Sequence, residues 1–109
     1  MLMAMTMAVP MSRIVHCVLL DLDPARPSET EAALEALRSL VALPGVVSMT
    51  AGLDVSPEGL GDGFTHAAVA VFEDAAARDA YLVAPEHLAA VDLLQQCMQR
   101  VTVVDVEAP

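Results

Sequence analysis

The residues best equipped for chemistry are few: one tyrosine, Tyr81, and three histidines, His16, His66 and His87. Tyr81 and His87 fall together in the stretch Y-L-V-A-P-E-H, residues 81–87. A neutral imidazole near pH 7 serves as a general base. A phenol can orient it, or donate to an oxygen on which negative charge develops. On one unbroken helix, two side chains six residues apart would point about 120° away from each other. Pro85 lifts that constraint, because proline breaks a helix interior yet suits the first position of a new helix. The break can let both side chains face one cavity. It also puts His87 at the third position of the restarted helix, where partial positive charge disfavours an imidazolium. A structural role, as a cap and a large core side chain, fits the same two residues.

The elements that must position them follow in order. Ile14 to Leu22, I-V-H-C-V-L-L-D-L, is an apolar run of strand length, with His16 on the same face as Ile14, Val18 and Leu20. Asp23, Pro24 and Pro27 end it. Ser28 with Glu31 reads as a capping box opening a helix, whose apolar stripe is Leu34, Leu37 and Val41 with Ala33 and Leu40 beside it. Pro44-Gly45 stops that helix, and Val46 to Ala51 alternates as a strand with Val47, Met49 and Ala51 on one face. Gly52 to Gly63 is a glycine-rich loop, long enough to raise the question of function, though an ordinary surface loop fits as well. It carries no Lys-Ser/Thr pair and leads into no helix, so it is not a phosphate-binding loop. A third strand over Phe64 to Glu73 puts Phe64, His66, Ala68, Ala70 and Phe72 on one face. Asp74 caps a short helix through Leu82. The restarted helix has the stripe Leu88, Val91, Leu94 and Met98, and Val101 to Val106 is a last strand.

Composition narrows the function classes. Fifteen Asp and Glu stand against five Arg, for a formal charge of −10. Such a chain is repelled by phosphate backbones and anionic lipid, so neither a nucleic-acid nor a membrane-surface role is expected. The three histidines lie on separate elements without metal-site spacing, so no metal and no cofactor is expected. Cys17 and Cys97 stand far apart and read as two small hydrophobes in a reducing, cytoplasmic setting. Residues 1–12 are apolar but lack a basic stretch and are interrupted by Pro10, so they are expected to be a disordered tail rather than a signal peptide. The folded domain is placed at residues 13–107.

The order β-α-β-β-α-β predicts an α+β, ferredoxin-like protomer, a four-stranded antiparallel sheet with two helices on one face. Hydrophobic residues make up 56% of the chain, above the roughly 45–50% usual in soluble domains. Two helices cover one sheet face only, and three of the strands are apolar on both. A homodimer through the uncovered sheet face is therefore expected, two sheets enclosing a barrel-like core.

These residues resemble a known family. R-I-V-H-C-V-L-L, G-L-D-V-S-P-E-G-L-G-D-G-F-T-H-A-A-V-A-V-F, Y-L-V-A-P-E-H-L-A-A-V and V-T-V-V-D-V fall in the order of the stress-responsive A/B barrel domain, or Dabb, family. The resemblance implies a dimeric α/β barrel of ferredoxin-like protomers. Members include plant stress-associated proteins and a polyketide cyclase that performs an aldol-type ring closure without metal or cofactor. That likeness implies a catalytic pair at Tyr81 and His87, and places the family's first- and third-strand histidines at His16 and His66. One departure is Ala84, where the cyclase has another histidine. Taken together, His87 and Tyr81 are the candidate catalytic residues, and His16, His66 and Phe64 the candidate substrate contacts. The expected function is binding of a small apolar or phenolic ligand between sheet and helices. A cofactor-independent cyclase or isomerase and a structural stress oligomer are the alternatives.

Overall fold

The computed structural model describes residues 12–109. The tail expected over residues 1–12 thus lies outside the described residues, Ser12 excepted. Four strands, β1 (Arg13–Leu22), β2 (Val46–Leu53), β3 (His66–Phe72) and β4 (Met98–Ala108), form one antiparallel sheet in the order β2-β3-β1-β4. Three helices, α1 (Pro27–Ser39), α2 (Ala75–Leu82) and α3 (Pro85–Leu94), cover one face, and a short 3-10 turn at Leu40–Ala42 follows α1. This is the expected α+β, ferredoxin-like βαββαβ arrangement, with its second helix in two pieces.

Alternation along β1 and β3 builds the core. Ile14, His16, Leu20 and Leu22 from β1 and Ala68, Ala70 and Phe72 from β3 are buried beneath the helices. Ala33, Leu34, Leu37 and Leu40 descend on them from α1 and its following turn, and Ala90 and Leu94 from α3. The opposite sheet face stays apolar as well. Across it run the rows Val106–Val15–Val71 and Val104–Cys17–Val69, with Leu19 beside Ala67. Among the described residues no helix lies on that side, and Leu19, Val104 and Val106 are exposed there.

Local signals set the element ends, with some corrections. The capping box at Ser28 and Glu31 does not form. The N-cap lies two residues earlier, at Arg26, which makes no side-chain cap, and Pro27 takes the first helical position, because proline needs no N–H acceptor there. Val41 is exposed rather than part of the buried stripe, since the chain tightens into the 3-10 turn and rotates it outward. Val47 also faces solvent. An irregularity in the β2–β3 pairing between Val46 and Ser48 makes it the extra residue of a bulge, leaving Val46, Met49 and Ala51 turned inward. On α3, Leu88 is exposed and Ala90 takes the buried place. Asp74 behaves as expected, accepting from the Ala77 amide at 2.8 Å. Gly45 is held at φ +80, and a Cβ there would lie 2.5 Å from the Ala77 Cβ, so the turn into β2 admits only glycine.

Candidate functional site

Between the helices and the inner sheet face lies a cavity of about 320 Å³. Aliphatic residues make most of its wall, among them Val18, Leu20, Leu37, Leu94 and Val103. Four polar side chains interrupt it: His16, Tyr81, His87 and Asp105. The sheet sets their spacing. His16 on β1 pairs directly with Asp105 on β4 and with Ala70 on β3, and the alanine's short side chain leaves room beside the imidazole.

The break at Val83 and Ala84 brings Tyr81 and His87 together. Tyr81 is buried in the last turn of α2, the Ala84 amide bonds the Tyr81 carbonyl at 3.1 Å, and Ala84 turns extended (ψ 139) before Pro85 restarts the helix. The two rings then lie 4.6 Å apart, centroid to centroid, at 47°. Tyr81 also packs edge-on to Phe72 at 4.8 Å and to His16 at 6.1 Å, distances at which aromatic rings attract.

Each polar group has a defined chemical state. His87 Nδ1 lies 3.1 Å from the Leu82 carbonyl oxygen. A carbonyl only accepts, so Nδ1 carries the proton and Nε2 is the basic nitrogen. Burial holds the His87 imidazole below the usual histidine range; the Leu82 hydrogen bond pulls it back up, and nearby His16 adds to the lowering. At neutral pH it is a neutral imidazole, basic at Nε2. Burial pushes the Tyr81 phenol up to about 12, so it is a donor. Its hydroxyl has no hydrogen-bond partner among the described residues. His16, 6% exposed, donates from Nδ1 to Asp105 Oδ1 at 2.6 Å, and Arg78 Nη1 donates to Asp105 Oδ2 at 2.9 Å. Burial raises the Asp105 carboxyl, but the hydrogen bonds from His16 and Arg78 outweigh it and leave the group below the usual carboxylate range.

The structure therefore brings His16, Tyr81 and His87 to one cavity. It places His66 and Phe64 elsewhere. The third strand starts at His66 rather than Phe64, and the His66 ring is held 2.7 Å from the Thr65 hydroxyl. Both residues line a separate depression with Leu19, Leu60 and Asp62, where the Arg100 guanidinium stacks 4.0 Å above the Phe64 ring. Burial lowers the His66 imidazole there. The Gly52–Gly63 loop supplies this depression and no part of the main cavity; β2 runs on through Leu53, and the Asp54 amide closes the loop on the Thr65 carbonyl at 2.8 Å. Asp105 and Arg78 are the site residues that sequence reasoning missed. The available signal was one acid in V-T-V-V-D-V, in phase with the inward-facing Val101 and Val103. Among the described residues no group of His, Cys, Asp and Glu could hold a metal ion, and no helix is long and apolar enough to cross a membrane.

Fold and site together define a ferredoxin-like α+β domain with an apolar cavity carrying a histidine–tyrosine cluster. Residues 14–108 match the stress responsive A/B barrel domain, Dabb, and the chain belongs to that family. Solved structures agree. A dimeric ferredoxin-like protein of unknown function from Jannaschia sp. CCS1 is 26% identical, covering 88% of this chain and 99% of that one, with a TM-score of 0.79. An Arabidopsis thaliana protein is also 26% identical, over 88% of this chain and 95% of its own, at 0.77. The hydroxynitrile lyase of Passiflora edulis is 18% identical over 92% and 96% of the two chains, at 0.79, a likeness of fold alone. No curated protein matches.

Proposed function

We propose that this domain binds a small, mostly apolar molecule bearing a carbonyl or phenolic oxygen, with that oxygen set among His16, Tyr81 and His87. One observation carries the reading. In a cavity walled mostly by apolar side chains, the Tyr81 hydroxyl and the Nε2 atoms of His16 and His87 have no partners among the described residues. Polar groups so placed fix a ligand's orientation, while apolar walls supply most of its affinity. His66 and Phe64, lining the other depression, take no part in this reading.

Thermal shift tests it. Phenols and ketones of cavity size should raise the melting temperature of the native protein and leave His87→Ala unmoved. Equal shifts in both would overturn the placement of the oxygen.

The fixed tautomer of His87 favours a second reading on the same cavity, cofactor-independent carbonyl chemistry. His87 Nε2 takes a proton from the carbon next to a bound carbonyl, the electron pair moves onto the carbonyl oxygen, and the Tyr81 hydroxyl donates to the resulting enolate. Exchange of that carbon-bound hydrogen in deuterium oxide, followed by NMR with a bound ketone, should be fast with the native protein and absent with His87→Gln. Undiminished exchange in the variant would refute it.

The functional unit of this proposal is a homodimer, two copies covering each other's rows of Val15, Cys17, Val104 and Val106. The solved relative described as dimeric supports it. Size-exclusion chromatography with light scattering should give twice the 11.4 kDa chain mass; a monomer at micromolar concentration would sink it.

A further inference from the structure

Three residues distant in sequence make one chain of hydrogen bonds into the cavity. Arg78 stands on α2, three residues before Tyr81, and its Nη1 occupies Asp105 Oδ2 at 2.9 Å, while its Nε bonds Asp79 at 3.0 Å. Asp105 Oδ1 is left for His16 Nδ1 at 2.6 Å. The carboxylate belongs to β4, a strand paired on one side only among the described residues, and is 25% exposed. An untethered carboxylate at such an edge turns freely toward water. Arg78 denies it that freedom by holding one oxygen, which commits the other to the imidazole. The remaining groups facing His16 are Tyr81 on α2 and His87 on α3, whereas β3 and α1 bring Ala70, Phe72 and Leu37, none of which titrates.

We propose that Arg78 is a positioning residue. Acting through Asp105, it selects the His16 tautomer that carries its proton on Nδ1 and presents the Nε2 lone pair to the cavity. With His87 held the same way by the Leu82 carbonyl, the cavity then offers two nitrogen acceptors and one phenolic donor. The functional meaning of this rests on the ligand-binding reading above, but the tautomer itself is measured without ligand. The known consequence of a wrong tautomer beside a catalytic carboxylate is a large loss of activity with geometry intact.

The test is imidazole nitrogen–proton correlation NMR on the full chain, at about pH 8.5, above the ordinary imidazole range. The native protein should show His16 as the Nδ1–H form. Arg78→Met should turn that into a mixture, and Arg78→Lys should restore part of it. Asp105→Asn gives the sharper result. The amide has one oxygen and two donors pressing on it, so Arg78 claims the oxygen, the amide NH2 faces His16, and the imidazole flips to Nε2–H. In Asp105→Asn with Arg78→Met the amide is free to turn its oxygen back, and the flip is relieved. His87, bonded to a backbone carbonyl, stays Nδ1–H throughout and is the internal standard. The proposal is overturned if Arg78→Met merely lowers the melting temperature and leaves the tautomer unchanged. It is equally overturned if Asp105→Asn looks the same with and without Arg78. A tautomer that responds as stated, in a protein that no phenol or ketone stabilises, would uphold this inference and refute the ligand-binding reading.

Discussion

Tyr81 is the only tyrosine in a chain with no tryptophan, so its ionisation can be watched directly by ultraviolet absorbance. The residue is 4% exposed, packed against Phe72 and His87, and burial lifts the phenol from its ordinary value of 10.0 to about 12. Between those two pH values the unfolded chain gives up the proton and the folded chain keeps it. The unfolded state then binds fewer protons, so stability falls as pH rises through this window. Two units at 1.36 kcal/mol each amount to about 2.7 kcal/mol, with about half of that lost by pH 11. Against a typical domain stability of roughly 5–15 kcal/mol, the loss weakens the fold without dissolving it. The assay is an alkaline titration following phenolate absorbance and far-ultraviolet circular dichroism together, with urea midpoints taken along it. Phenolate should appear about two units late, or arrive abruptly with loss of the dichroism signal. Tyr81→Phe should lose the absorbance change and the part of the alkaline decline that belongs to the phenol. A phenolate midpoint near 10 in a protein with intact dichroism would refute the desolvated placement of Tyr81.

Acid should weaken the protein too. The His87 and His66 imidazoles are both held down, chiefly by burial, so the unfolded chain takes protons first once pH falls below about 6.5. Stability is then full above that value and declines beneath it. Asp105 adds a further loss below about 4, where the unfolded carboxylate protonates first. Urea midpoints measured downward from neutrality should show this decline, and His87→Gln should flatten its first part; an unchanged slope would refute the assignment. Gly45→Ala combines a positive φ with a Cβ pressed on Ala77, and should cost about 1–3 kcal/mol in equilibrium unfolding. A cost below half a kcal/mol would mean the turn relaxes.

Local chemistry was the legible part of this chain. Pro85 announces a helix restart and Asp74 a cap because each acts through its own backbone neighbours, and the order of elements along the chain follows from where apolar runs and breakers fall. Ser28 misled because Pro27, just before it, is an equally valid helix start, and sequence alone does not rank a capping box against a first-turn proline. Val47 misled because a bulge changes which residues alternate, and nothing in V-V-S-M-T-A marks where the extra residue falls. At the site, Tyr81 and His87 were readable as a pair because only five residues, including the proline break, lie between them. His16 joined them by strand parity. Asp105 was not readable: its meaning depends on the β1–β4 register, which places it opposite a residue 89 positions away. Arg78 depends in turn on Asp105. His66 shows the converse. Its parity was sound, but at the first residue of a strand a neighbouring hydroxyl, Thr65, outweighs the alternation.

The cavity owes one wall to β4, a strand hydrogen-bonded among the described residues to β1 alone. Val101 and Val103 line the cavity from it while remaining half-exposed. An edge strand is thus also the backbone a bound molecule would press against. Amide hydrogen exchange along Met98–Ala108 should therefore slow when a ligand binds, because a molecule seated against Val101 and Val103 opposes fraying of the strand that carries them. A protein whose function is binding would be tuned in this strand by how fast its own edge lets go.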